Sequence, residues 1–194
     1  RLGYDVLGVD NEEAAVQYYS PTITHVVQAD ITSVETLRQL GVDDLSHAIV
    51  AVGSDLEASI LATAALEELG VPAIWAKAVS QHHGRILQRV GAHHIVYPEH
   101  DMGHQVAHMI GGRILDWFQL DERFALVETV VPKDLVGRTV ASSGIRENHA
   151  VTVVCVKPNG GSFTYATVDT VLAEGDVLVV AGETSAAEAF ARLG

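Results

Sequence analysis

Residues 47–77 read HAIVAVGSDLEASILATAALEELGVPAIWAK. Two apolar runs, HAIVAV and AIWAK, flank a segment in which apolar residues recur at the three- and four-residue spacing of a helix. Gly70 and Pro72 follow that segment, and glycine and proline commonly end helices at such positions. The stretch therefore predicts two strands joined by a crossover helix, as in a parallel sheet.

The same alternation extends over most of residues 4–100. Further apolar, β-branched runs occur at 4–9 (YDVLGV), 25–29 (HVVQA) and 94–98 (HIVYP). Strands separated by helices of this length predict an α/β fold with a Rossmann-like parallel sheet. Gly41 and Gly70 are expected just past helix ends, and Ser80 is expected to cap the helix that follows it.

The pattern changes near residue 120. Residues 101–118 (DMGHQVAHMIGGRILDWF) are predicted to form one longer helix, although Gly111 and Gly112 weaken it. The strand-like runs that follow are ALVETVV, AVTVVCV, SFTYA and DVLVVAG, with a hairpin signal PNGG at 158–161. We predict two domains: residues 1–119, which include the helix, and a small α+β domain over residues 120–194.

Composition excludes several classes of function. The formal net charge of −13 argues against nucleic acid and against direct binding to anionic lipid. No apolar run reaches the ~18 residues of a membrane span, and a single cysteine offers no disulfide framework. We expect a soluble, cytoplasmic protein without membrane insertion.

Polar residues follow successive predicted strands. Asp10 follows the first, Asp30 the second and Gly53 the third, and ligands of parallel sheets bind at these carboxyl ends. Asp10 is suited to ribose hydroxyls and disfavours the 2′-phosphate of NADP. The alternative is that Asp30 and Asp55 only begin helices, where a carboxylate is favourable.

Three segments carry a resemblance to a known family: DLEASILAT (55–63), AKAVSQHHGRILQRVGA (76–92) and PEHDMG (98–103). With them, the chain resembles RCK proteins, the regulators of K⁺ conductance of Ktr and Trk potassium-uptake systems. The resemblance covers essentially the whole chain. A single nucleotide-binding half followed by one C-terminal domain is more similar to the Ktr-type subunit than to the Trk type, in which this unit is duplicated. It implies a cytosolic nucleotide-sensing subunit at the inner membrane, assembled as a homodimer and an octameric ring, that gates a membrane K⁺ channel subunit.

The resemblance also implies roles for individual residues. Asn11 would lie near the sugar or adenine edge, Ile31 would border the adenine with Asp30, and Lys77 would lie near the phosphates. Glu99 would bind Mg²⁺ or Ca²⁺ together with the nucleotide at a subunit interface. The ligand that the resemblance implies is ATP/ADP or NAD(H), and the residues leave that choice open.

The family opens with a strand and a glycine-rich phosphate-binding turn, and neither is present before Arg1. In the Rossmann strand order the absent strand is central, so a sheet without it leaves two unpaired edges. We therefore expect the natural chain to extend about 25 residues further toward its N-terminus.

Histidines and the C-terminal domain suggest further sites. His100, His104 and His108 share a predicted helix face that suits either a subunit contact or a metal. The pairs His82–His83 and His93–His94 are expected at the surface, where titration near pH 6–7 would make assembly pH-sensitive. By resemblance, Ile145 and Arg146 lie where some relatives bind cyclic di-AMP.

Three functions compete at this point. The leading one is a nucleotide-sensing regulator of a K⁺ channel, which is not an enzyme. The second is an NAD-dependent Rossmann oxidoreductase, but the C-terminal domain lacks an evident acid/base constellation. The third is a cyclic di-AMP-binding protein with a vestigial nucleotide site.

Overall fold

The computed structural model describes residues 3–110 and 113–193. The chain forms two compact units, which divide between His100 and Asp101. The first unit is built on parallel strands, and the second contains an antiparallel sheet. This confirms the predicted fold class, a Rossmann-like α/β portion followed by a smaller α+β portion.

In the first unit, strands and helices alternate as predicted. They are β1 (Leu7–Asp10), α1 (Glu13–Tyr19), β2 (His25–Gln28), α2 (Val34–Gln39), β3 (His47–Val50), α3 (Leu56–Glu68), β4 (Ala73–Lys77), α4 (Gln81–Arg89) and β5 (His94–Val96), followed by α5 (Pro98–Met109), which crosses into the second unit.

The parallel strands form two separate sheets. β1 pairs with β2, and β3, β4 and β5 pair in that order. All pairs are parallel, so the carboxyl ends of β3, β4 and β5 lie at one edge. The helices α3 and α4 pack against β4, where Ile74, Ala76 and the α4 residue Leu87 are fully buried.

The helix ends follow the sequence signals. Gly41 and Gly70 take left-handed backbone conformations, with φ of 73° and 74°, directly after helical segments. Ser80 caps α4, because its hydroxyl accepts a hydrogen bond from the backbone N–H of His83 at 3.1 Å. These local predictions are confirmed.

The second unit contains a five-stranded sheet. Its elements are β6 (Ile114–Gln119), β7 (Phe124–Val130), α6 (Val140–Ser143), α7 (Ile145–His149), β8 (Val151–Lys157), β9 (Thr164–Tyr165), β10 (Val177–Glu183) and α8 (Thr184–Ala191). The strand order is β6-β7-β10-β8-β9, and the predicted hairpin at 158–161 joins β8 to β9. Phe190 of α8 is fully buried in the core of this unit.

The predicted helix over 101–118 is wrong. The helix α5 starts earlier and ends at Met109, and residues 114–119 form β6, which pairs antiparallel with β7. Gly111 and Gly112 lie outside the described residues. Within β6, Ile114 and Trp117 are buried, whereas Leu115 and Phe118 are exposed. Pairing with β7 selects the strand over the helix in this segment.

Candidate functional site

Three residues predicted from separate segments meet at the carboxyl ends of β3, β4 and β5. Lys77 ends β4, Glu99 lies in the first turn of α5 just after β5, and Gly53 follows β3. The Nζ atom of Lys77 lies 2.5 Å from Oε1 of Glu99. A Cβ atom at Gly53 would lie only 3.0 Å from that Nζ. The absence of a side chain at Gly53 therefore leaves room for the ammonium group beside the segment that follows β3.

The two charged side chains differ in exposure. The Lys77 side chain is 25% exposed, whereas that of Glu99 is 63% exposed. The hydrogen bond from Lys77 and one from the backbone N–H of Glu99 lower the pKa of the Glu99 carboxyl. Glu99 is therefore ionised at neutral pH, and the contact is a charged pair.

Asp10 is the last residue of β1, and three hydrogen bonds hold this strand end and the turn that follows it. The backbone N–H of Ala29 donates to the carbonyl oxygen of Asp10 at 3.0 Å, and Nε2 of Gln28 donates to the carbonyl oxygen of Asn11 at 3.0 Å. The N–H of Glu12 donates to Oδ1 of Asp10 at 2.9 Å. Asp10 and Asn11 are both exposed, so their side chains face solvent at the end of β1.

Gln28 was not selected from the sequence. It is opposite Asp10 in the parallel register of β1 and β2. The sequence feature that points to Gln28 is its place as a polar residue at the end of the strand next to the predicted ribose-binding strand. Its side chain ties the end of β2 to Asn11, the first residue after β1.

The other strand-end residues differ in what they do. Oδ1 of Asp30 accepts hydrogen bonds from the Thr32 hydroxyl at 2.7 Å and from its N–H at 2.8 Å, and these lower the pKa of the Asp30 carboxyl. Ile31 is partly buried against the core of the first unit. Asp55 caps α3, with Oδ1 accepting the N–H of Ala58 at 3.0 Å. Asp55 thus has the helix-capping role that the alternative interpretation expects.

The histidines are not grouped as a metal site in the part of the chain that the structure describes. No set of three or more His, Cys, Asp or Glu side chains there is arranged to hold a metal ion. Nδ1 of His108 lies 2.8 Å from Oε1 of Glu188, and its ring stacks on Trp117 with centroids 4.1 Å apart. His83 is only 3% exposed, so its predicted surface position is wrong.

The predicted second-messenger residues lie in the second unit. Ile145 is buried in the core, and Arg146 is exposed on the short helix α7. Of the two, only Arg146 presents its side chain to solvent. A role for them in cyclic di-AMP binding stays a prediction.

The described residues form a Rossmann-like α/β unit and a smaller α+β unit with an antiparallel sheet. Family models agree: residues 1–98 match the TrkA-N domain and residues 126–193 match the TrkA-C domain. The chain belongs to this TrkA-N/TrkA-C family, together with the Ktr system potassium uptake proteins.

Two of these relatives are from Bacillus subtilis. Ktr system potassium uptake protein C is 35% identical over 94% of this chain and 83% of its own length. Ktr system potassium uptake protein A is 32% identical over 94% of this chain and 82% of its own. Ktr system potassium uptake protein A of Vibrio alginolyticus is 35% identical over 93% of this chain and 82% of its own length. All three are named as potassium uptake proteins.

Solved structures share the fold. The GsuK RCK domain matches 96% of this chain and 41% of its own, with a TM-score of 0.66 and 22% identity. The GsuK channel bound to NAD matches 96% of this chain and 34% of its own, with a TM-score of 0.62 and 22% identity. Within residues 3–110 and 113–193, no helix has the length and apolar character that crossing a membrane requires.

Proposed function

We propose that this chain is a nucleotide-sensing regulatory subunit of a potassium-uptake system, and that it is not an enzyme. Family membership supports the transport role, since the relatives are named Ktr system potassium uptake proteins. The observation that carries the nucleotide site is the Lys77 ammonium lying over Gly53 at the carboxyl ends of parallel strands. A cation beside bare backbone at this edge is suited to phosphate.

The proposed binding roles follow the two sheets. Asp10 accepts hydrogen bonds from the ribose hydroxyls, and Asn11 lies at the sugar or adenine edge. Asp30 and Ile31 border the adenine. Gly53 and Lys77, named above, receive the phosphates. The ribose role is supported by the exposure of Asp10 and Asn11 and by the hydrogen bonds that hold the end of β1.

The proposed ligands are ATP/ADP or NAD(H). One solved neighbour with this fold is named as a channel bound to NAD. A divalent cation, Mg²⁺ or Ca²⁺, would need oxygen ligands beyond Glu99, whose carboxylate is already paired with Lys77. Phosphate oxygens or a second subunit are the sources of those ligands in this proposal.

The proposed partners are further copies of the chain and a membrane K⁺ channel subunit. A homodimer and an octameric ring at the cytoplasmic face would let a nucleotide bias two ring shapes through its differential affinity. In this scheme the N-terminal domain, residues 1–119, senses the nucleotide, and residues 120–194 form the C-terminal domain. This proposed division at residue 119 differs from the division of the structure into compact units, which falls between His100 and Asp101.

Calorimetric titration of the full-length protein with ATP, ADP, NAD and NADH, with and without Mg²⁺, tests the nucleotide role. We expect binding of at least one nucleotide, and we expect Asp10→Ala to abolish it. Asp43→Ala is the matched control, because Asp43 is an exposed carboxylate that precedes β3. Absence of binding by the wild-type protein would contradict the proposal, and turnover of NAD with small alcohols would support the oxidoreductase instead.

A further inference from the structure

The second unit contains a cavity of about 200 Å³ between the end of β7 and the end of α8. Its wall includes three buried apolar residues: Val131 and Pro132, which follow β7, and Ala191, which ends α8. Two exposed cationic residues, Arg113 and Lys133, also line it. An apolar wall with a few charged groups at its edge is typical of a site for a small organic ligand.

Arg113 is held at both its backbone and its side chain. Its backbone carbonyl oxygen accepts a hydrogen bond from Oγ1 of the buried Thr129 at 3.0 Å. Its Nη1 atom donates to the backbone carbonyl oxygen of Arg192, the residue that follows α8, at 3.4 Å. A guanidinium group has five N–H donors, and this contact uses one of them. Arg113 is therefore oriented before a ligand arrives, which lowers the ordering cost of binding.

The backbone beneath Lys133 is fixed as well. Lys133 begins a 3₁₀ turn, Lys133–Leu135, in which the N–H of Leu135 donates to the carbonyl oxygen of Pro132 at 2.9 Å. Neither Lys133 nor Arg113 forms an ion pair with a carboxylate of any residue that the structure describes. The two cations therefore create a local positive potential at this cavity, although the formal net charge of the chain is −13.

We propose that this cavity binds a small aliphatic carboxylate. The carboxylate group contacts Arg113 and Lys133, and the alkyl chain packs against the apolar wall. The planar guanidinium group matches the two oxygens of a carboxylate. A phosphate has more oxygens, and those that the two cations do not reach would face Val131 and Ala191 without hydrogen bonds, which is unfavourable.

The size of the cavity supports a small ligand. Its volume lies below the about 300–1,000 Å³ that is usual for sites of drug-sized ligands, so a dinucleotide is too large for it. The predicted cyclic di-AMP residues Ile145 and Arg146 do not line it. The inference therefore goes beyond the proposed nucleotide-sensing function, and it does not depend on that function.

Saturation-transfer NMR on the full-length protein, with acetate and butyrate at constant ionic strength, tests the ligand class. Each methylene that becomes buried should tighten binding about fourfold, so butyrate should bind about 15-fold tighter than acetate. Inorganic phosphate should displace bound butyrate poorly. Equal affinity for acetate and butyrate, or absence of saturable butyrate binding at millimolar concentrations, would overturn the proposal. Stronger displacement by phosphate than by acetate would overturn the carboxylate assignment.

Two variants locate the site. Arg113→Gln should weaken butyrate binding about tenfold or more, because it removes charge-assisted hydrogen bonds. Lys133→Gln should weaken it about two- to fivefold, as expected for a more exposed charge. Arg123→Gln is the matched control and should bind like the wild-type protein. Arg123 is an exposed cation that precedes β7, whereas the cavity lies at the other end of that strand.

Further outcomes separate a binding role from a folding role. Arg113→Gln also loses the contact with Arg192, so thermal unfolding must show that this variant is folded. Lys133→Gln removes no side-chain hydrogen bond or ion pair within the described structure, so its loss of affinity reports binding directly. Wild-type affinity in Lys133→Gln and in folded Arg113→Gln would overturn the site. Asp10→Ala should bind butyrate like the wild-type protein, which keeps this test separate from that of the nucleotide site.

Discussion

Gly84→Ala should destabilise the first unit although it replaces glycine with the best helix former. Gly84 lies inside α4, where alanine gains about 1 kcal/mol of helix propensity. A Cβ there would lie 2.0 Å from Oη and 2.8 Å from Cζ of Tyr97, and 3.1 Å from Cγ2 of Ile95. Tyr97 and Ile95 pack against the core of this unit, so they cannot move away freely.

The steric cost decides the sign of the effect. Overpacking of a core costs about 1–3 kcal/mol, and an overlap this deep belongs at the upper end of that range. Subtracting the propensity gain leaves a loss of about 1–2 kcal/mol, which lowers the melting temperature by about 2–8 °C for a chain of this size. Adding Tyr97→Phe should restore part of the loss, because it removes the closest atom.

Thermal unfolding followed by circular dichroism measures this effect. Gly103→Ala is the matched control, because Gly103 is also inside a helix but has nothing within 4 Å of the position of a Cβ. It should raise the melting temperature. If Gly84→Ala stabilises the protein as much as Gly103→Ala does, the packing of α4 against Tyr97 described above is incorrect.

Two further predictions concern the same unit. Burial lowers the pKa of His83, and its neutral Nδ1 accepts a hydrogen bond from the backbone N–H of Val79 at 3.4 Å. Below about pH 6.5 the unfolded chain therefore binds the proton more readily than the folded protein does, so the free energy of unfolding decreases as the pH is lowered. The urea midpoint of the wild-type protein should drop when the pH is lowered from 7.5 to 5.5. The drop should be smaller in His83→Gln and of wild-type size in the control His82→Gln. A drop of wild-type size in His83→Gln would contradict this prediction. Asp55→Ala should cost about 1 kcal/mol through loss of the α3 cap and leave nucleotide affinity unchanged in calorimetry. A tenfold loss of affinity would show that Asp55 contacts the ligand.

Much of the first unit could be predicted because its signals are local. The strand over 73–77 was predicted at its observed limits, and the strand starting at His47 at its observed start. The glycines after helices and the Ser80 cap also act within a few residues of their own position. Such signals survive whatever the distant parts of the chain do.

The segment ILDWF, residues 114–118, shows where local signals fail. Its apolar residues suit both helical and strand periodicity, and pairing with β7 decides for the strand. His82 and His83 are adjacent in sequence, yet only His83 is buried. The direction of each side chain depends on how α4 packs against β4, which the sequence pattern did not reveal.

Sequence alone established the alternation of strands and helices, the acidic strand end at Asp10 and the candidate positions of Gly53, Lys77 and Glu99. Only the tertiary structure brings the Lys77 ammonium next to both Gly53 and the Glu99 carboxylate. These residues lie in segments separated by α3 and α4, and they meet because β3, β4 and β5 pair in parallel with their carboxyl ends at one edge. Periodicity reports the face and the limits of each element, whereas contacts between distant strand ends exist only once the elements pack.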